Sequence, residues 1–473
     1  MYKVVIGLEV HCELNTKSKN FSSSLNSYAS MPNTNVSPVD LGYPGIMPVV
    51  NKEAVRKSLK TALALNCKIP NYLNFDRKNY FYPDLPKGYQ ITQMHNPIGV
   101  DGYLMINVDG VDKKVLIHDT HLEEDTANLN HYGNYSLIDY NRCGIPLLET
   151  VTEPCLYSCK EAIAFLEALR SLFIYCDISE TRSDKGQIRC DVNVSLMKET
   201  DTELGTRVEM KNINSFNNVK DAIECEIKRQ TEILEQGGVI VQETRRYDDN
   251  LKQTFSMRSK EDAVDYKYFV EPNIPKIKIE DELIEEVKRE IPMLQYERCN
   301  KYINEYGITR VDANTIVKDK NIAIYYEKAI NEGGNPKLLA NWLTGIILAH
   351  LNKFNLTIEK LYLAPATLSQ LIKMVEDNKL STKQAREVLT KALEEDKNPL
   401  DLVKSMNITQ ISDEDEILKV VVEVLEENPN LVDDYKNGKK VFDYIIGQIM
   451  KKTRGRVNPG KTAVVLKNEL ERR

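Results

Sequence analysis

Glu9 and His11 stand two residues apart in a segment, 4–14, where apolar and polar residues alternate, so in an extended chain both side chains point the same way. Gly7 and Glu13 share their parity, while Val4, Ile6, Leu8, Val10, Cys12 and Leu14 share the other. Further acids occur in His121-Leu122-Glu123-Glu124-Asp125, at Glu149 and Glu153, and at Asp191 on the polar parity of a second alternating segment, 188–196. Two carboxylates about 4 Å apart repel by ~4 kcal/mol at an effective dielectric of about 20, so a convergence of these groups calls for a cation. Oxygen ligands with one imidazole suit Mg²⁺ or Mn²⁺ better than zinc, and magnesium points toward nucleotide phosphates.

Arg77-Lys78, Lys87, Arg142, Arg189, Lys211 and Arg245-Arg246 supply the positive charge that a transferring phosphoryl group requires around its oxygens. Tyr80-Phe81-Tyr82-Pro83-Asp84 could stack on a base or fill a packed turn. The chain has no G-x-x-x-x-G-K-[ST], no kinase glycine loop and no G-x-S-x-G, so an ATP site here is neither a P-loop nor a protein-kinase site. Cys155 and Cys159 are the closest pair among nine cysteines, and C-x3-C without a second pair or a His partner is a poor zinc signal. The odd count and apolar surroundings fit reduced thiols and a cytoplasmic setting.

Elements must hold these groups in place. The alternation over 4–14, 188–196 and 206–212, the last setting Val208 and Met210 against Arg207, Glu209 and Lys211, predicts strands of an antiparallel or mixed sheet with one packed and one polar face. Helical spacing appears over 51–66, 158–175 and 216–235, the last stopped by Gly237-Gly238. Beyond Pro292 the chain reads as helices, at 310–330, 336–353, 366–376 and 382–394, the last with a cap at Ser381-Thr382. A joint at 398–415 precedes a final helical module. The expectation is an α+β fold in three parts: 1–291, 292–408 and 409–473. No run of about 18 apolar residues suggests a membrane span.

The 473 residues carry a net charge of -7, which on average argues against a nucleic-acid binder. The average conceals a separation. Residues 451–473 hold Lys451, Lys452, Arg454, Arg456, Lys461, Lys467, Arg472 and Arg473 against Glu469 and Glu471, a local +6 that makes the tail the candidate anion-binding surface.

From end to end, these same segments resemble the GatB family, the B subunits of the glutamyl/aspartyl-tRNA amidotransferases. The resemblance is carried by Val5-Ile6-Gly7-Leu8-Glu9-Val10-His11, Leu14 to Lys19, Phe75 to Gln90, His121 to Asp125, Asn141-Arg142, Pro146-Leu147-Leu148-Glu149, Arg189 to Ser195 and Lys211 to Phe216. It implies a glutamine-synthetase-like cradle at 1–291, an all-helical domain at 292–408, and a YqeY-like tail at 409–473 that grips tRNA. It also implies a heterotrimer in which the partners are a glutaminase, the A subunit, and a small C subunit. The B subunit would use ATP and Mg²⁺ (or Mn²⁺) to phosphorylate the side-chain carboxylate of Glu or Asp misacylated onto tRNA(Gln) or tRNA(Asn), and ammonia would displace the phosphate. A divergent paralogue that binds tRNA with weak or no kinase activity is the competing reading.

By this resemblance Glu9, His11, Glu124, Glu149 and Asp191 form the metal site, with Glu123 as a neighbouring candidate. Glu9, His11, Arg189 and Lys211 form the catalytic set, and Lys78, Tyr82 and Arg245 contact ATP, Arg245 also neutralising the transferring group. The chain departs from the family pattern in four places. Thr126-Ala127-Asn128 replaces the common Ala-Gly-Lys, Cys155 replaces an acid, Gln187-Ile188 precedes Arg189 where Ser-Leu is usual, and Asn458-Pro459-Gly460-Lys461-Thr462 interrupts the tail.

Overall fold

The computed structural model describes residues 2–27, 31–213, 215–259, 265–406, 413–453 and 456–473. Asn214, Asn407, Ser412 and Arg454 lie outside the described residues, as does the expected boundary at 408/409. Two compact units divide between Tyr296 and Glu297.

The first unit is built on an eight-stranded sheet. Its strands are β1 (Tyr2–Glu13), β2 (Gly99–Val108), β3 (Val111–Glu124), β4 (Pro146–Thr152), β5 (Ile188–Lys198), β6 (Val208–Ile213), β7 (Glu243–Asp248) and β8 (Gln253–Ser259). Their spatial order is β8-β7-β6-β5-β1-β4-β3-β2. Only β6 and β7 run parallel, so the sheet is mixed. The alternation in β1 does what period-two patterning requires: Ile6, Leu8, Val10 and Cys12 are buried in the core, and Glu9 and His11 emerge on the other face.

Three helices cover the apolar face: α1 (Lys52–Ala64), α2 (Cys159–Tyr175) and α3 (Phe216–Glu235). Phe165, Leu166, Leu169, Phe173, Val219 and Ile223 pack into the same core as the inward residues of β1 and β5. Each helix starts where a polar side chain caps it: Asn51 accepts from the Glu53 and Ala54 amides, Ser158 from that of Glu161, and Ser215 from that of Asn218. Glycine is required at 102, where a Cβ would fall 2.4 Å from Cys67 Sγ and 2.6 Å from the Leu65 carbonyl oxygen. A separate three-stranded sheet, Phe269–Val270, Asp76–Asn79 and Tyr89–Thr92, carries Lys78.

Beyond Tyr296 the described residues are helical. The segment expected as one helix at 310–330 is two, Arg310–Val317 and Lys320–Asn331, because Asp319 turns its carboxylate onto the Asn321 and Ile322 amides and starts a new helix. The 336–353 segment is helical with a π turn at Leu343–Ile347 beside buried Trp342. The expected cap at Ser381 is a full capping box with Gln384. Part of the expected joint forms a helix, Pro399–Met406. The last four helices, Glu414–Glu427, Pro429–Lys436, Phe442–Lys452 and Pro459–Arg472, close over Ile417, Val421, Leu425, Ile445, Ile449 and Leu466. Some of the tail's positive charge is spent within it: Lys452 pairs with Glu423 at 3.1 Å, and Arg473 with Glu469 at 2.9 Å.

Candidate functional site

Strand register brings the chemistry together. Arg189, His11, Glu149 and His121 lie side by side on adjacent strands β5, β1, β4 and β3, and Asp191 is the register partner of Glu9 one step along. Paired residues share a face, so these groups form one polar surface. Two triads can each converge on a cation, with one ligand atom per residue within 4.8 Å of the others: His11, Glu123 and Glu149, and, beside them, Glu9, Asp191 and Glu209.

In the first triad Glu149 lies between two imidazoles, 3.3 Å from His11 Nε2 and 3.2 Å from His121 Nε2. Asp119 holds the far side of His121, 2.7 Å from Nδ1. Burial opposes charge on His11, but the neighbouring Glu149 carboxylate prevails and pushes it up to about 9. Burial works against Glu149 as well, yet the His11 and His121 charges hold it well below the ordinary carboxylate range. Burial and the charge of Glu149 push Glu123 up. In the second triad burial and then Glu149 raise Glu9, which accepts a hydrogen bond from Asn193 Nδ2 at 2.9 Å. Lys211 reaches Asp191 at 3.0 Å and Glu209 at 3.1 Å.

The donor set fits a hard divalent ion: carboxylate oxygens, a single imidazole in the first triad and none in the second. Asn193 Oδ1, buried and among the described residues without a hydrogen-bond partner, adds an uncommitted oxygen next to Glu9.

This geometry sets a pH dependence. His11 is raised from 6.5 to about 9 in the ion-free chain, so the stability it contributes is complete below pH 6.5 and is lost as pH rises through 9. A divalent ion requires the neutral imidazole, so its affinity should instead climb by about tenfold per pH unit for each proton displaced in that window. Thermal melting across pH 7 to 9 should show stability falling with pH in chelator and a flattened slope with saturating magnesium, whose bound form holds no proton on His11; parallel slopes would contradict ligation by His11.

The remaining expected site residues lie outside the two triads. Glu124 shares the parity of core residue Leu122, not that of Glu123; it forms a buried ion pair with Lys87 and accepts the Ile91 amide at 2.9 Å. Lys78 leans over the Tyr266 ring, 5.0 Å from its centroid, and although burial opposes its charge, Glu123 holds its pKa up. Tyr82 is exposed and lines a cleft of about 410 Å³ together with Phe81, Pro83 and Lys87. Arg189 Nη2 donates to buried Asp125 at 2.7 Å.

Arg245 points to the helix-covered side of the sheet. Its Nη2 donates to the Thr254 carbonyl at 2.7 Å, Nη1 donates to Glu243, and Nε lies 3.6 Å from the fully buried Glu226 of α3. Arg229 also pairs with Glu226, at 2.6 Å. Removing one partner of such a buried network strands the others, so Glu226→Ala should destabilise the fold by about 3 kcal/mol or more, read as a lower denaturant midpoint. A midpoint within error of the parent would remove this structural reading of Arg245.

Three participants were not singled out from the sequence. Glu209 shares the parity of Lys211, and Glu13 that of Glu9 and His11, so alternation alone could have found both. Asp119 shares the parity of His121 and Glu123, so the same alternation reaches it, the bulge of β3 lying on its other side, between Ile117 and Asp119.

Comparison with known proteins agrees over nearly the whole chain. Residues 4–285 match a family model described as the GatB/GatE catalytic domain, and 324–470 match a second described as the GatB domain. Proteins named as the B subunit of aspartyl/glutamyl-tRNA(Asn/Gln) amidotransferase, from Halalkalibacterium halodurans and Geobacillus kaustophilus, are 44% identical to it, with all of each chain covered. The one from Brevibacillus brevis is 45% identical over 97% of each chain.

Proposed function

We propose, from the premise that this chain belongs to the GatB family of aspartyl/glutamyl-tRNA(Asn/Gln) amidotransferase subunits, that it activates the side-chain carboxylate of Glu or Asp misacylated onto tRNA. The observation that carries this reading is the pair of carboxylate-rich triads, one with the His11 imidazole, on one sheet face with Arg189 and Lys211 beside them. The reaction class is a glutamine-dependent C–N ligation consuming ATP. Its first unit would be a glutamine-synthetase-like cradle at 1–291, followed by a helical domain at 292–408 and a YqeY-like tail at 409–473 on tRNA. Two partners, one a glutaminase and the other small, would complete a cytoplasmic heterotrimer; among the described residues no helix is long and apolar enough to cross a membrane.

A carboxylate is a poor electrophile until one oxygen becomes part of a leaving group. Its oxygen attacks the γ-phosphorus of ATP, the bond to the β-phosphate oxygen breaks, and ADP departs with that electron pair. Ammonia then adds to the acyl carbon to form the C–N bond, the bond from that carbon to the phosphate oxygen breaks with phosphate taking the electron pair, and the nitrogen gives up a proton to solvent or to the departing phosphate. Magnesium, bound by His11, Glu123 and Glu149 and by Glu9, Asp191 and Glu209, would supply charge neutralisation across the phosphate oxygens. Arg189 and Lys211 bring fixed positive charge to the same face, which lets two anions approach one another. Thr126 and Ala127, where the family pattern differs, offer carbonyls to Arg142 at 2.9 and 3.1 Å. The turn is thus tied without the usual lysine.

The test is reconstitution with the glutaminase and the small partner, measuring ATP-dependent amidation of Glu-tRNA(Gln) and of Asp-tRNA(Asn). Amidation of at least one supports the reading, and tRNA binding without amidation of either would replace it with a non-catalytic paralogue.

A further inference from the structure

We infer that Asp125 is a positioning residue for this reaction, acting through Arg189; the inference rests on the function proposed above. Arg189 stands beside His11 on the sheet face, and its side chain is 35% exposed, whereas that of Asp125 is 4% exposed. One guanidinium nitrogen, Nη2, is committed to Asp125 Oδ2 at 2.7 Å, and among the described residues no other hydrogen bond of the guanidinium to a protein acceptor is seen. A planar fork held at one nitrogen presents its remaining N–H groups in a fixed direction, as an oxyanion of a phosphoryl group requires.

Asp125 is itself immobile. Its amide donates to the Ile145 carbonyl and its carbonyl accepts from the Gly144 amide, both at 2.9 Å, so both chain directions at the root of the Asn128–Asp139 hairpin are tied. Its Oδ1 accepts the Thr126 amide at 2.9 Å. Arg142 approaches Oδ2 at 3.6 Å but is anchored on the Thr126 and Ala127 carbonyls, and the buried carboxyl of Glu13 beside it is pushed well above the ordinary carboxylate range by burial and by the Asp125 charge. The carboxylate is thus a rigid buried anchor with one partly exposed arginine resting on it. Without it a long, rotamer-rich side chain would have to be ordered during the reaction itself.

The test is a double-mutant cycle in the assembled amidotransferase, reading kcat and KM for ATP in tRNA-dependent ATP hydrolysis, with glutamine hydrolysis as the control for assembly. Asp125→Asn should lower kcat by about 10- to 100-fold with little change in KM, and in an Arg189→Gln background the same substitution should cost less than about twofold more. Should Asp125→Asn fail to fold, Asp125→Glu keeps the charge on a longer stem and carries the same cycle with the same expected non-additivity. Independent, multiplicative losses would overturn the role of Asp125 while leaving Arg189 in place. An Arg189→Gln variant of unchanged kcat would overturn the functional reading of the face, and this role with it.

Discussion

Glu149→Gln is expected to abolish tRNA-dependent ATP hydrolysis in the assembled enzyme, a loss of about 10³-fold, while glutamine hydrolysis continues. The substitution preserves shape and removes one charge. That charge lies between His11 Nε2 at 3.3 Å and His121 Nε2 at 3.2 Å, and it is the largest influence raising both imidazoles. Its removal therefore has a second signature: His11 should titrate well below about 9, moving back toward its ordinary value as burial gains the upper hand. Imidazole proton shifts followed by NMR would register this without any turnover. Retained ATP hydrolysis together with an unmoved His11 titration would separate Glu149 from both the ion and the imidazoles.

Lys211→Met has the second largest expected effect, and the sign of its two parts differs. The ammonium sits 3.0 Å from Asp191 and 3.1 Å from Glu209, two of the three carboxylates of the second triad. It therefore competes electrostatically with any divalent ion placed there. Loss of the ammonium should tighten divalent-ion binding by about tenfold or more, because a net positive neighbour has gone. Turnover should nevertheless fall by about 10²-fold, because in the proposed reaction the same charge neutralises the transferring group. Weaker ion binding with unchanged turnover would mean that Lys211 props up the triad and does not act on phosphate.

Much of this face was legible in the sequence, for a physical reason. Alternation over β1 and β5 has period two, so Glu9, His11, Arg189 and Asp191 had to emerge together once Ile6, Leu8, Val192 and Val194 were buried. Alternation does not settle which of two sequence neighbours faces the site when both are charged. Glu123 and Glu124 are such a pair, and burial with Lys87 accounts for Glu124, leaving Glu123 with His11 and Glu149. Arg245 and Arg246 are another. The register between β7 and β8 shifts at Thr244/Arg245, and the buried carboxylate of Glu226, on the preceding helix α3, draws Arg245 to the helix side. Arg246 instead lies exposed, next to Lys211 in register.

Helix ends followed a similar rule. Where the expected boundary rested on a capping side chain, at Ser381, the helix starts at Thr382 as that cap requires, and the helices expected from 51 and 158 by spacing alone start one residue later, after the caps Asn51 and Ser158. Where periodicity ran on through a potential cap, as at Asp319, the side chain's local hydrogen bonds outcompeted continuation. The separation of charge also needs refining at residue level, since several tail cations are already paired with Glu423, Glu427 and Glu469.

The central claim is that this sheet face makes an acyl phosphate from a carboxylate carried by tRNA. The most direct measurement uses Glu-tRNA(Gln) or Asp-tRNA(Asn) labelled with ¹⁸O in the side-chain carboxylate, incubated with the assembled enzyme, ATP and glutamine. If the carboxylate oxygen attacks the γ-phosphorus, inorganic phosphate released during amidation carries one ¹⁸O from the amino acid, and the Glu149→Gln enzyme releases none. Phosphate free of ¹⁸O alongside amidated tRNA would mean that the carboxylate was never phosphorylated, and would contradict the account.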